Sequence, residues 1–169
     1  MDLAPLYLSL EVATIATLLA TVFGIAIATL LARRRFPGRD LVDVLITAPM
    51  VMPPTVLGYY LLVALGRKSF IGQAYEALTG SSIVFTPAGA VVAAFVGSLP
   101  LVTKSARTSL EGVDETLLSA ARTLGAGPLR AFFTVHLPLA ARGIVAGVML
   151  GFARSLGDFG VTLMIAGDI

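Results

Sequence analysis

Three long stretches of this chain contain no Asp, Glu, Lys or Arg. They cover residues 12–32, 44–66 and 77–103, and in a fourth apolar stretch, 143–166, the only charged residues are Arg154 and Asp158. A helix of roughly 20 apolar residues crosses a hydrocarbon core of about 30 Å. The stretches lack the polar–apolar alternation of a transmembrane β-strand. The chain is therefore predicted to be an all-α polytopic membrane protein.

The predicted membrane domain occupies the whole chain, 1–169, and has about four transmembrane helices. We place the spans at about 6–32, 41–65, 83–103 and 143–166, with a loop over 104–142 between the third and the fourth. Apolar residues make up 57% of the chain and charged residues 13%. Because a soluble domain carries about 25% charged residues, this composition excludes a soluble enzyme and a nucleic-acid binder.

Lys and Arg residues are distributed unevenly between the predicted loops. Nine of the twelve lie in 33–39 or 104–142, whereas Arg67 and Lys68 occupy the loop after the second span and Arg154 lies in the fourth. Cytoplasmic loops of membrane proteins are enriched in positive charge. The pattern predicts that 33–39 and 104–142 are cytoplasmic and that the N-terminus lies outside.

Few residues of this chain are suited to catalysis. The sequence has no cysteine, one histidine (His136) and no Gly-x4-Gly-Lys-Ser/Thr motif. A thiolate nucleophile, a histidine metal site and a nucleotide-binding P-loop are thus excluded from this chain. We predict that it is not an enzyme, that it binds no cofactor or metal, and that His136 has a structural role.

The loop over 104–142 is predicted to contain two short amphipathic helices. Asp114 is a suitable N-cap and Gly125 a suitable stop for the first helix, and Pro128 is placed to begin the second. Apolar side chains recur at helical spacing until Pro138; they are Leu117, Leu118, Ala121, Leu124, Leu129, Phe132, Phe133 and Leu137. Two interpretations remain open: a protrusion that docks into a partner's groove, or helices that lie on lipid headgroups.

This loop resembles the EAA loop of permeases from ABC-type importers. That pattern is Glu-Ala-Ala, three residues, Gly, nine residues and Ile-x-Leu-Pro. Here Ser119-Ala120-Ala121 is followed at the same spacing by Gly125 and by Val135-His136-Leu137-Pro138. Ser119 and Val135 depart from the usual Glu and Ile, and the serine removes a charge that a partner could contact.

Two further segments narrow the resemblance to molybdate and tungstate permeases. They are 49–62, which includes Pro53-Pro54-Thr55, and 151–167. Sulfate permeases resemble the second segment but lack the Pro-Pro-Thr-Val-Leu-Gly run of the first. Members of the family usually continue into a fifth helix, so we expect this chain to be truncated at its C-terminus.

The resemblance implies a permease subunit that imports an oxyanion, most simply molybdate or tungstate, across a prokaryotic cytoplasmic membrane. A second permease copy, two ATPase subunits that carry ATP and Mg, and an extracytoplasmic oxyanion-binding protein would be its partners, and nucleic acid would not. The loop over 115–138 would couple to the ATPases; the matching residues are Ser119, Ala120, Ala121, Arg122, Gly125, Leu137 and Pro138. The alternatives are a permease for sulfate, thiosulfate or another small solute, and a structural membrane subunit outside the ABC class.

Candidate pathway residues lie in the second and fourth spans. The pair Pro53-Pro54, followed by Thr55, should kink or interrupt the second span, either as a packing feature or as a lining of the pathway. Arg154 and Asp158, with Ser155 between them, are one helical turn apart. Three interpretations remain open: an ion pair that fixes the helix, an Arg154 that attracts a passing oxyanion while Asp158 moderates that attraction, or a position near the outer surface where neither role applies.

Overall fold

A computed structural model describes residues 4–33 and 37–157, and every regular element in these ranges is helical. This confirms the predicted all-α class. The elements in chain order are α1 (Ala4–Arg33), α2 (Arg39–Val51), α3 (Pro54–Leu65), α4 (Phe70–Thr79), α5 (Pro87–Glu111), α6 (Glu115–Thr123), α7 (Pro128–Ala131), a π-helical turn (Phe132–His136) and α8 (Leu137–Gly157). Of the candidate pathway residues, Asp158 lies outside the described residues.

Three of the described helical segments are long and apolar enough to cross a membrane. They are Leu6–Ala32, Pro87–Glu111 and Pro128–Gly157, and the bent pair α2–α3 makes a fourth if it is counted as one span. Along α1 and α5, Ala16 packs near Ala90 and Ala28 near Ala106, so these two helices run in the same direction. The third long segment runs the opposite way, as the predicted order of spans requires.

The second predicted span is not a single helix. The chain turns through 117° between α2 and α3. Met52 and Pro53 have extended backbones, with ψ of 140° and 141°, and Pro54 begins α3. Two consecutive prolines supply no N–H for the helical ladder, and each disfavours a helical residue before it. The predicted interruption at Pro53-Pro54 is therefore present, and it turns the chain much more sharply than a kink.

The helices on either side of the predicted 104–142 loop are longer than expected from the apolar stretches alone. α5 continues to Glu111 and α8 begins at Leu137, so the connection between them is residues 112–136. The charges of Lys104 and Arg107 end the apolar stretch without ending the helix, because both side chains pair with carboxylates on neighbouring turns or on α2. We call 112–136 the connecting segment.

α8 packs on α5 along a seam of three glycines spaced four residues apart. A Cβ on Gly151 would lie 2.8 Å from the Val102 Cγ2 atom, and one on Gly143 or Gly147 would collide with Ser109 or Ser105. The Ser105 Oγ atom donates a hydrogen bond of 2.8 Å to the Gly143 carbonyl. Small residues allow transmembrane backbones to approach closely. Close packing therefore fixes α8 against α5.

Candidate functional site

The connecting segment begins with a well-formed helix cap. The Asp114 Oδ1 atom accepts a hydrogen bond of 2.8 Å from the Thr116 backbone N–H, and Glu115 occupies the first turn of α6. This bond lowers the pKa of the Asp114 carboxyl below its ordinary value, because the backbone N–H favours the charged form. The cap predicted from the sequence is confirmed.

α6 ends in a Schellman motif built on Gly125. The Ala126 N–H donates to the Ala121 carbonyl (3.0 Å), and the Gly125 N–H donates to the Arg122 carbonyl (2.9 Å). Gly125 has a φ of 85°, in the left-handed region that favours glycine. The predicted stop is thus confirmed, and it gives the chain a defined turn before Pro128.

The second predicted short helix is not separate from the last span. Pro128 begins α7 as expected, but the chain then passes through the π-helical turn directly into α8. The second short helix, whose apolar face was predicted to run up to Pro138, is therefore continuous with the last span. The Leu137 N–H donates to the Phe132 carbonyl, five residues back, and this wider turn changes the hydrogen-bond register just before the proline. The helix can then accept Pro138 without a break.

His136 ties the two ends of the connecting segment together. Its Nε2 atom lies 2.9 Å from the Leu110 carbonyl in the last turn of α5, and the side chain is buried. Since a carbonyl only accepts, Nε2 must carry the proton. Phe132 is buried in one cluster with Leu110 and Ile144. These contacts give His136 the structural role that was predicted. They also fix the root of the segment, the place where His136 meets Leu110 at the end of α5.

The residues that match the EAA pattern lie along α6, at the turn that ends it and at the beginning of α8. Five are exposed to solvent: Ser119, Ala120, Arg122, Gly125 and Pro138. Ala121 and Leu137 are half-buried. Large apolar side chains are exposed beside them, above all Leu124 (89% exposed), Leu129 (74%) and Phe133 (61%). The outward surface of the segment is therefore apolar and without a covering element in the described part of the chain.

A cavity of about 390 Å³ separates α6 from the ends of α1 and α5. Ser119, which replaces the usual glutamate, lies on its wall. The other lining residues are Ala32, Leu110, Glu111, Val113, Glu115, Leu118, Arg122 and His136. The cavity wall already carries the carboxylates of Glu111 and Glu115 and the guanidinium of Arg122, and serine adds a neutral hydroxyl where a glutamate would add a third carboxylate.

Five charged side chains form a ladder of ion pairs between α2 and α5. Asp43 accepts from Lys104 (2.8 Å) and Arg107 (2.9 Å), and Glu111 accepts from Arg107 and Arg39 (both 2.9 Å). All five are partly or largely withdrawn from solvent. The ladder joins the beginning of α2 to the turn of α5 that precedes the connecting segment. Sequence reasoning missed it, because the partners that join α2 to α5 are more than 60 residues apart.

The first group of candidate pathway residues lies at the bend between α2 and α3. Pro53, Pro54 and Thr55 are all exposed. α3 returns to α5 one turn later, where the buried Leu57 packs on Ala93. The bend therefore projects from the bundle, and its assignment to a pathway stays a prediction.

The second group lies near the end of α8 and has different surroundings. Arg154 is half-buried, whereas Ser155 is buried and its Oγ atom has no hydrogen-bond partner among the described residues. Ser155 is one turn beyond Gly151 and so shares the face of α8 that packs on α5. The proposed pairing of Arg154 with Asp158 lies outside the described residues and stays a prediction.

Comparison with known proteins identifies relatives over almost the entire chain. Residues 20–169 match the family described as binding-protein-dependent transport system inner membrane component. The molybdenum transport system permease protein ModB of Escherichia coli is 49% identical over 162 residues, which cover 96% of this chain and 71% of that protein. The sulfate transport system permease protein CysT of Salmonella typhimurium is 38% identical over 95% of this chain and 58% of that protein.

A solved structure shares the fold. The inward-facing MetNI methionine ABC transporter superposes with a TM-score of 0.70 at 21% sequence identity, over 89% of this chain and 68% of the matched chain. At this level of identity the likeness concerns the arrangement of helices alone.

Proposed function

This chain belongs to the family of inner-membrane components of binding-protein-dependent transport systems, and we propose that it is the molybdate-conducting subunit of such an importer. It is a multi-pass membrane permease and not the catalytic subunit of its complex. The connecting segment carries the proposal, because it combines an exposed apolar surface with a base that is fixed to the end of α5.

The segment has the properties that a coupling element needs. Force from a partner cannot pass through a flexible loop, whereas here Asp114, Gly125 and His136 fix the beginning, the turn and the root of the segment. Leu124 and Leu129 offer an apolar contact for a groove in an ATPase subunit. The small side chains of Ala120 and Ala121 let the partner's surface approach α6 closely. Docking on a partner thus explains the exposed residues better than contact with lipid headgroups.

The remaining parts of the complex follow from this assignment. Two copies of this chain would enclose the pathway, two ATPase subunits would hold ATP and Mg beneath them, and a binding protein would deliver the anion from outside. The N-terminus would face outward, which places 33–39 and the connecting segment in the cytoplasm. The concentration of Lys and Arg in 33–39 and 104–142 supports that orientation.

Molybdate is the proposed cargo because identity is higher to a molybdenum permease than to a sulfate permease, 49% against 38%. The test is uptake of radioactive molybdate by cells that depend on this chain, with sulfate as competitor. We expect excess tungstate to block uptake and excess sulfate to leave it largely unchanged. Equal competition by sulfate would assign the chain to sulfate transport instead.

Two glycines of the segment provide a matched test of coupling. Gly125 and Gly127 are both exposed, and a Cβ on either would meet nothing within 4 Å, but only Gly125 has a positive φ. Gly125→Val strains the turn by about 1–3 kcal/mol, whereas Gly127→Val does not. We expect Gly125→Val to lose the co-purifying ATPase subunit and molybdate uptake while it still inserts into the membrane. Equal behaviour of both variants would reject the coupling role.

A further inference from the structure

Helix α4 leaves one face of apolar side chains uncovered. The opposite face of α4 packs closely on the end of α3, because a Cβ on Gly72 would collide with the carbonyl groups of Leu65 and Gly66. The Ser69 Oγ atom caps the helix by accepting from the Gly72 N–H at 2.9 Å. The orientation of α4 is therefore fixed. The uncovered side chains share one side of the helix; they are Phe70 (88% exposed), Ile71 (54%), Ala74, Ala77 and Leu78 (88%).

This apolar stripe lies at the end of the bundle opposite the connecting segment. Tyr75, on the packed side of α4, contacts the cluster of Leu65, Ile83 and Val84. These residues lie at the end of α3 and just before α5, where the apolar part of each span stops. A bilayer changes from acyl chains to headgroups at the ends of such spans. The stripe is thus at the depth of that boundary.

Positive charge flanks the stripe on its N-terminal side. Arg67 and Lys68 are both exposed, and Arg67 also lies 3.6 Å from Glu76 on α4. Nearby, Phe85 has a φ of 63° and is 64% exposed, so another aromatic residue stays outside the core. Cations beside an exposed apolar helical face are typical of helices that lie in a membrane surface, where the cations face lipid phosphates.

We propose that α4 is an interfacial anchor: phospholipid covers its apolar stripe, and Arg67 and Lys68 bind the phosphate groups. The anchor would hold the loop between α3 and α5 at the membrane surface. This inference needs only that the chain is embedded in a bilayer, so it does not depend on the cargo or on an ATPase.

The absence of tryptophan from the chain allows a direct test. Phe70→Trp and Leu78→Trp place the only indole of the chain on the stripe, and Gln73→Trp places it at the polar edge of the same helix. Each full-length variant is reconstituted in nanodiscs of phosphatidylethanolamine and phosphatidylglycerol. The acyl chains are either unmodified or brominated near the headgroup, and iodide is the aqueous quencher.

We expect brominated lipid to quench the Phe70→Trp and Leu78→Trp variants and iodide to quench Gln73→Trp. In the Phe70→Trp background, Arg67→Gln with Lys68→Gln should reduce the quenching by lipid. If iodide and not brominated lipid quenches the fluorescence of Phe70→Trp and Leu78→Trp, the proposal is overturned. The stripe would then be a surface open to a soluble partner. Protection from both quenchers would also overturn it, and would indicate coverage by protein, such as a second copy.

Discussion

Prolines have opposite effects in the two helical regions that lie against α5. At Pro53-Pro54 the chain turns through 117° and two helices result, whereas at Pro138 the helix continues through a π-helical turn. The surroundings differ accordingly. The α8 side is fixed by a glycine seam, by the Ser105–Gly143 hydrogen bond and by His136. α2 buries no residue and depends on partly exposed ion pairs.

The single proline at 138 is accommodated by the π-helical turn that precedes it, whereas the two consecutive prolines at 53 and 54 end α2 and begin a new helix. The molecule also has a more rigid part and a less rigid part. α5, the connecting segment and α8 form one closely tied unit. The α2–α3 pair is attached to that unit by the ion-pair ladder, by the contact of Leu57 with Ala93, and by the end of α3, where Leu65 lies in a cluster with Ala88 and Val92 of α5. We infer that movement of the connecting segment reaches the bend at Pro53-Pro54 through these attachments.

The largest expected effect comes from the glycine seam. Gly147→Leu would force a side chain into Ser105, and overpacking of this kind costs about 3 kcal/mol. We expect the folded fraction in detergent, measured by thermal unfolding, to fall sharply. Ala146→Leu is the matched control, because Ala146 is exposed on the same helix. If both variants unfold alike, the seam does not hold α8.

A smaller effect is expected at the root of the connecting segment. His136→Ala removes the donor to the Leu110 carbonyl and leaves space beside Phe132, which should cost about 2 kcal/mol. Hydrogen exchange over 112–136 should become faster. His136→Gln keeps an N–H donor and should recover part of the protection. Unchanged exchange in His136→Ala would mean that the segment is rigid for another reason.

The smallest effect is expected at the ladder on the other side of α5. Asp43→Ala removes the carboxylate between Lys104 and Arg107, and partly exposed ion pairs contribute about 1 kcal/mol or less. Thermal stability should therefore change little, but a spin label at Leu45→Cys should become more mobile because α2 loses an attachment. Asp40→Ala, on the same helix, serves as control. Equal label mobility in both variants would contradict the proposed attachment of α2.

Much of this arrangement could be predicted from local sequence. The charge-free stretches predicted the membrane spans, and Asp114, Gly125 and Pro128 predicted both ends of α6 and the beginning of α7, because capping depends on neighbouring residues. The extension of α5 to Glu111 could not be predicted in this way, since it relies on Asp43 and Arg39 of a distant helix. The π-helical turn before Pro138 likewise depends on the burial of Phe132 and His136. The spacing of Gly143, Gly147 and Gly151 was visible in the sequence as a packing signal and was overlooked.

We infer that the connecting segment moves together with α5 and α8, while α3 moves relative to them. The chain has no cysteine, so pairs of spin labels can be placed at Thr108 and Leu129 and at Thr108 and Val63, all of which are exposed. Distances would be measured by pulsed electron resonance in the reconstituted complex, with and without ATP, after dilution with unlabelled permease. We expect the Thr108–Leu129 distance to be the same with and without ATP, and the Thr108–Val63 distance to change. A change in the first distance with the second constant would contradict this inference.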